Sequence, residues 1–484
     1  MSTDPFDARP HPSRPSRRDF FSSMADGLHG AALALLLGGD LRAASVVQPK
    51  VYNLKPKQPH FPGRAKSVIQ LFMTGGPSQV DLFDPKPMLE KFAGQAPSRD
   101  LASEIRAVRE AGGLLPSPFK FTRHGQSGIE ISELLPHLAR QADDLAVIRS
   151  MFTTHISHNF ALYIIHTGRM LAGRPSLGSW IVYGLGSENQ NLPAYVVLDD
   201  PKGLPTNGIQ NWEAGWLPGV YQGTRVRSEG APLINLRPAE ERPSAVVELS
   251  RSLLRRMDVD HAACRPGNPD LEARISTYEL AARMQIEASD ALDISKESAA
   301  TQEMYGIHEE STASFGRRCL MARRLVERGV RMIQIYVERG LWDHHNALAA
   351  GLRQCCGNTD KPAAALIADL KQRGLLDSTL IVWGGEFGRL PIAQAPGPNV
   401  GRDHNPSGFT VWMAGGGIKG GTVYGSTDEI GYKALENRVS VHDFHATILH
   451  LLGLDYTKLS FHHDTRDERL TDVHQPRVIR EILA

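Results

Sequence analysis

Four short stretches put carboxylate, imidazole or guanidinium side chains beside apolar runs. "QLFMTGGPSQVDLFD" offers Ser78, Asp81 and Asp84, and "VRMIQIYVERGLWDHHN" ends on Asp343, His344 and His345. "STLIVWGGEFGR" ends on Glu386 and Arg389, while Asp403 and His404 in "PNVGRDHNPSG" come just before a further apolar run. A single Asp-His pair is commonly no more than a surface hydrogen bond. Four such groups delivered to one edge of one sheet make a different chemistry available. Mixed carboxylate and imidazole donors suit one or two divalent ions, with zinc or manganese ahead of iron. An ion so held can polarise an ester oxygen or activate a water. Arg389 fits either a bidentate grip on an anionic oxygen or a role orienting Glu386.

That chemistry requires the apolar runs to be strands whose ends share an edge, the place where open α/β sheets bind ligands. Ser67–Gly76, Asp143–Met151 and Leu192–Asp200 read as buried strands, as do Val330–Glu338, Ser378–Gly385 and Phe409–Gly417. Helical periodicity marks Leu271–Leu292 and Ser314–Gly329. Asp360–Gly374 reads as a helix with Pro362 in its first turn and Gly374 at its stop. Helix alternating with strand predicts a three-layer α/β/α sandwich around a mostly parallel sheet. A mostly helical insertion is expected near 201–310, with Trp212, Trp216 and Tyr221 shaping a pocket or covering the sheet. His442 and His445 on the last helix read as packing or capping residues, and "AGGGIKGG" as a turn rather than a phosphate loop.

Composition sets outer bounds. With 54 Lys+Arg against 53 Asp+Glu, the 484-residue chain carries a formal charge of +1, so nothing global points to nucleic acid or a membrane. The four cysteines form no CxxC pair, which argues against a disulfide framework or a structural zinc. Ser16-Arg17-Arg18-Asp19-Phe20-Phe21, followed by an apolar run too short to span a membrane, resembles a twin-arginine export signal. Residues 1–45 are therefore expected to direct export to the periplasm or cell surface, and 46–66 to be a linker. The export machinery is then an expected partner, and export after folding would let a metal be loaded in the cytoplasm.

From about Ser67 onward the chain resembles the bacterial exported family known as domain of unknown function 1501, placed in the alkaline phosphatase/sulfatase superfamily. The matching pieces are "GGPSQVDLFDPKP", "GRPSLGSWIVYGLGSE", "WDHH", "EFGR", "GRDHNPSGFTVWMAGGGIKGG" and "VHDFHATILHLLG". The resemblance implies an alkaline phosphatase-like fold and a metal set of Asp81, Asp343, His345, Glu386 and His404. Ser78 competes with Asp81 for the first place, where a carboxylate suits a hard cation better, and His344 is the alternative to His345. Phe387 falls where a further His or Asn ligand would stand. "SHNFALYIIHTGR" resembles the sulfatase run that begins at the nucleophile, with His158 in that slot and Ser157 one residue before it.

No Cys-x-Pro-x-Arg signature exists, and "CRPGN" departs from it at Asn268. The resemblance thus leaves two chemistries open: Ser157 attacks, its pKa lowered by a metal, or His158 is ligand or nucleophile and an activated water hydrolyses the ester. Catalytic candidates are Ser157, His158 and Arg389. The expected activity is an exported, metal-dependent hydrolysis of phosphate or sulfate esters, on small or polymeric anionic substrates. The alternative is a catalytically silent binding or scaffold protein on the same fold.

Overall fold

A computed structural model of the protein describes residues 54–98, 102–103, 112–230, 243–265 and 268–484. The expected export signal over 1–45 lies outside the described residues. Residues 54–66 of the expected linker run without helix or strand up to the first strand.

The apolar runs form one nine-stranded sheet. Its strands are β1 (Ser67–Phe72), β2 (Leu145–Phe152), β3 (Tyr195–Leu198), β4 (Thr224–Arg225), β5 (Met332–Tyr336), β6 (Thr379–Gly384), β7 (Phe409–Ala414), β8 (Thr422–Tyr424) and β9 (Val439–Ser440). The order is β8-β2-β7-β6-β1-β5-β3-β4, with β9 also pairing to β2. Every pairing is parallel except those of β7, which runs against both β2 and β6.

Alternate residues of a strand point to opposite faces, so a strand buried on both faces reads as a continuous apolar run. In β1, Val68 and Phe72 join one core while Ile69 and Leu71 join the other. The first core is closed by α1 (His158–Thr167), α2 (Leu177–Leu185) and, late in the chain, a helix over Val441–Leu451. Of two helices from the expected insertion, α3 (Ser244–Ala263) packs on α4 (Pro269–Leu292). The second core is closed by α4, α5 (Ala313–Glu327) and α6 (Leu348–Gln372). The Val441–Leu451 helix is α7. The result is a mixed α/β fold of three layers around a mostly parallel sheet.

Between 201 and 310 the chain does more than add helices, because β4 extends the sheet at its edge. Trp212 and Tyr221 are buried against the sheet, with Trp212 packing on Tyr336 at 5.5 Å between rings. Helix α6 corrects the expected start at Asp360. It begins twelve residues earlier, at Leu348, and Pro362 lies inside it. A proline within a helix costs roughly 3 kcal/mol. The buried stripe Leu348, Leu352, Cys355, Cys356 and Thr359 carries the helix through that break.

Candidate metal centre

Topology decides which side chains can meet. The C-terminal ends of β1, β2, β5 and β6 lie at one edge of the sheet, and the reversed β7 begins there. The loop after β1 brings Gly75 and Gly76, and β2 leads into α1 with His158 as its first residue. The loop after β5 carries Asp343 and His345, β6 leads into Glu386 and Phe387, and His404 stands five residues before β7. Close approach of these loops needs glycine. A Cβ on Gly75 would come within 2.6 Å of the Asp343 backbone nitrogen, and one on Gly76 within 2.7 Å of the Phe387 ring.

His158, Asp343, His345 and His404 each offer a donor atom, all within 4.8 Å of one another. The three imidazoles share one arrangement: each turns Nδ1 to an oxygen acceptor and Nε2 inward. His158 Nδ1–H donates to Glu386 Oε1 at 2.6 Å, His345 Nδ1–H to Gln394 Oε1 at 2.5 Å, and His404 Nδ1–H to the Ile156 carbonyl at 2.7 Å. Fixing the proton on Nδ1 leaves the Nε2 lone pair for a metal. The inward nitrogens sit around Asp343, at 3.2 Å for His158, 2.9 Å for His345 and 3.2 Å for His404. The His345 and His404 Nε2 atoms are 3.0 Å apart.

His158 Nε2 is buried with no hydrogen-bond partner, an atom in want of a ligand. Three nitrogens and a carboxylate fit a divalent ion such as zinc. The four side chains are 15–32% exposed, so the cluster opens to solvent.

The environment polarises the set. Burial opposes a charge on His158, but the Asp343 and Glu386 carboxylates outweigh it and raise its pKa to about 9. Burial also opposes ionisation of Asp343, yet His158, His345, His404 and the Arg389 guanidinium hold it far below the carboxylate range. Contact with Asp343 raises His345, whereas burial lowers His404.

The other predicted residues occupy distinct places. Glu386 is buried; its Oε1 takes the His158 proton and the Gly75 N–H at 3.0 Å, and its Oε2 has no hydrogen-bond partner. Arg389 is also buried. It donates to the Gly76 carbonyl at 3.0 Å, to the Arg402 carbonyl at 3.1 Å, to the Gly75 carbonyl, and to Asp343 Oδ1 at 2.5 Å. Its guanidinium therefore fixes Asp343 rather than Glu386. Asp81 stands apart from the cluster, gripped bidentately by buried Arg402 at 2.8 and 3.0 Å and accepting from Ser78 at 2.5 Å. Asp84 pairs with Lys86 at 3.0 Å.

His344 turns away from the cluster toward Cys355 Sγ, 3.6 Å from its Nε2, and burial lowers its pKa to about 4. Ser157 is the N-cap of α1, half-buried, and its hydroxyl makes no capping bond. His445 and His442 bond to the Ile165 and Gly168 carbonyls at 2.8 and 2.9 Å, far from this role.

Sequence reasoning passed over Gln394 and Arg402. Arg402 stood in the quoted "GRDHN", and an arginine next to Asp403 was the available signal; Gln394 had none. Phe387 is fully buried, its ring 4.9 Å from His158 and 4.6 Å from His404. It forms an apolar wall against two of the imidazoles.

The family described as "Protein of unknown function (DUF1501)" matches residues 65–483. Among curated proteins, none matches the sequence. The solved structures similar to the chain include the following three. One is the PsFucS1 sulfatase from Pseudoalteromonas sp., 14% identical over 96% of this chain and 78% of its own, with a TM-score of 0.36. Another is the phosphonate monoester hydrolase SpPMH from Silicibacter pomeroyi, 11% identical over 86% and 76%, at 0.35. The third is a protein in the alkaline phosphatase superfamily from Vibrio parahaemolyticus, 10% identical over 87% and 74%, at 0.34.

Proposed function

We propose that this chain, which belongs to the DUF1501 family, is an exported, metal-dependent hydrolase of phosphate or sulfate esters. The observation that carries the reading is the convergence of three Nε2 atoms on Asp343, each ring held by an acceptor at Nδ1. A divalent ion in such a set supplies Lewis acidity toward a phosphoryl or sulfuryl oxygen. The protein's own groups do the rest. Glu386, Gln394 and the Ile156 carbonyl orient the imidazoles, and Arg389 holds Asp343 ionised and in place.

Ser157 precedes ligand His158 at the start of α1, where the helix dipole favours negative charge and its uncommitted hydroxyl faces no competing cap. It is the protein nucleophile in this reading, and a water in the same position is the alternative. The twin-arginine segment supports export through that machinery to the periplasm or cell surface.

Elemental analysis of the purified protein tests the site. About one equivalent of divalent metal, zinc or manganese foremost, is expected in the native chain and loss of at least tenfold in affinity in His345→Ala. A panel of aryl phosphates and sulfates then reads turnover, which Ser157→Ala should lower at least a hundredfold with metal retained if Ser157 is the nucleophile. A folded protein that never takes up stoichiometric metal overturns the reading; one that is loaded but inert on every ester is a scaffold. Export is checked separately: replacing Arg17 and Arg18 by Lys should leave the protein in the cytoplasm.

A further inference from the structure

A cavity of about 710 Å³ opens at the same sheet edge, lined by Asn159, Lys202, Thr206, Asn207, Glu338 and Arg339 among others. That volume lies within the range of small-molecule sites. Two of its walls belong to chain segments that also supply the metal cluster. The first turn of α1 supplies His158 to the cluster and Asn159 to the cavity. The loop after β5 supplies Asp343 and His345 to the one and Glu338 and Arg339 to the other. The loop over 202–208, which contributes nothing to the cluster, makes the third wall and is tied to α1 by Asn207 Nδ2 donating to the Asn159 carbonyl at 2.8 Å. The segments that present the cluster residues thus also line this cavity, with Asn159 directly following His158 in the chain.

The charges in the cavity are unequal. Lys202 and Glu338 neutralise each other across 2.6 Å. Arg339 is exposed and makes no ion pair among the described residues. A guanidinium with its donors free, beside hydroxyl and amide groups in a concave site, matches carboxylate or sulfate oxygens in bidentate geometry. At Gly203, which also lines the cavity, an added Cβ would meet nothing within 4 Å, so that wall stays open.

We infer that this cavity is a second-anion subsite: the preferred substrate carries, besides the ester on the metal cluster, a further negative group that Arg339 binds. The inference rests on the proposed hydrolase reading for what occupies the cluster. It adds the class of substrate, a multiply charged ester rather than a simple one, and names Arg339 as the residue that selects it.

The test is isothermal titration of the metal-loaded full chain with a monosulfated and a disulfated disaccharide, in native protein and in Arg339→Gln. The disulfated probe should bind the native protein about tenfold more tightly, the increment of one charge-assisted contact. Arg339→Gln should erase that advantage while leaving metal content, thermal midpoint and affinity for the monosulfated probe unchanged. Equal binding of the two probes, survival of the advantage in Arg339→Gln, or no measurable binding of either overturns the subsite. Metal content and ester turnover are measured apart from these titrations. A failed hydrolase reading appears as a metal-free or inert protein, and a failed subsite as indifference to the second charge.

Discussion

Glu386 shows how a residue's identity and its role can separate. A carboxylate after an apolar strand suggests a ligand, yet its Oε1 is committed to His158 Nδ1 and the Gly75 N–H, and it acts on the cluster through His158. Carboxylates that hold a ligating histidine in this way commonly tune metal affinity by 10–100-fold. Glu386→Gln keeps the shape and an acceptor oxygen but removes the charge. It should weaken metal binding by about tenfold in chelator competition, with the fold retained. Loss of all metal with an unchanged fold would mean that Glu386 ligates directly through its unpartnered Oε2. Asp81 is the counterpart: it is as buried as Glu386, but Arg402 consumes both its oxygens. Neither commitment is written in the residue's immediate neighbours, because His158 and Arg402 are both remote in sequence from the carboxylates they hold.

At the scale of elements, the short connections carry the chemistry and the caps hold them. The start of α7 is a capping box: Ser440 Oγ accepts the Asp443 N–H, and the Asp443 carboxylate accepts the Ser440 N–H. The same carboxylate accepts the Arg477 N–H at 2.8 Å, fastening the C-terminal segment. Ser440→Ala should cost about 1 kcal/mol of stability in denaturant titration, without changing metal content, since α7 supplies no ligand. Asp443→Ala should cost more, because it frees the C-terminal segment as well. Helix α6 carries the opposite lesson: local punctuation at Pro362 suggested a start, and a buried stripe along the preceding turns overrode it. Propensity is a weak prior wherever an amphipathic face has a core to cover.

For the whole molecule, burial of imidazoles away from the cluster sets the response to acid. His166 and His445 are fully buried in the core under α1 and α7, and burial pushes both pKa values down to about 3. The unfolded chain takes up these protons near pH 6.5 and the folded chain does not, so below that pH the unfolded state binds more protons. Their contribution to stability is complete above about pH 6.5 and falls by about 1.4 kcal/mol per pH unit for each histidine as pH drops toward 3. Urea midpoints of metal-free protein at pH 7.5, 6 and 5 should decline accordingly, and His445→Gln should show a shallower decline. An unaltered slope in that variant would show that His445 is not held neutral by the fold.

The sequence by itself determined the layered α/β class, the strands that line the site edge, and the stretches from which ligands would be drawn. These follow from local rules: buried strands read as apolar runs, glycines mark where they stop, and metal-binding side chains must follow at the open ends. The loop residues Asp343, His345 and His404 were within reach of that reasoning, whereas Ser157 and His158 were singled out only by the resemblance of their stretch to the sulfatase run. Only the tertiary structure decided that His345 and not His344 turns inward, that His158 joins the cluster through its Nε2, and that Arg389 grips Asp343. It alone separated Asp81 from the cluster and set Phe387 against the rings. The physical reason is that a side chain's orientation at the sheet edge is fixed by partners from other segments, Gln394 for His345 and Glu386, 228 residues away, for His158, and pairing across the sheet edge leaves no local trace in the chain.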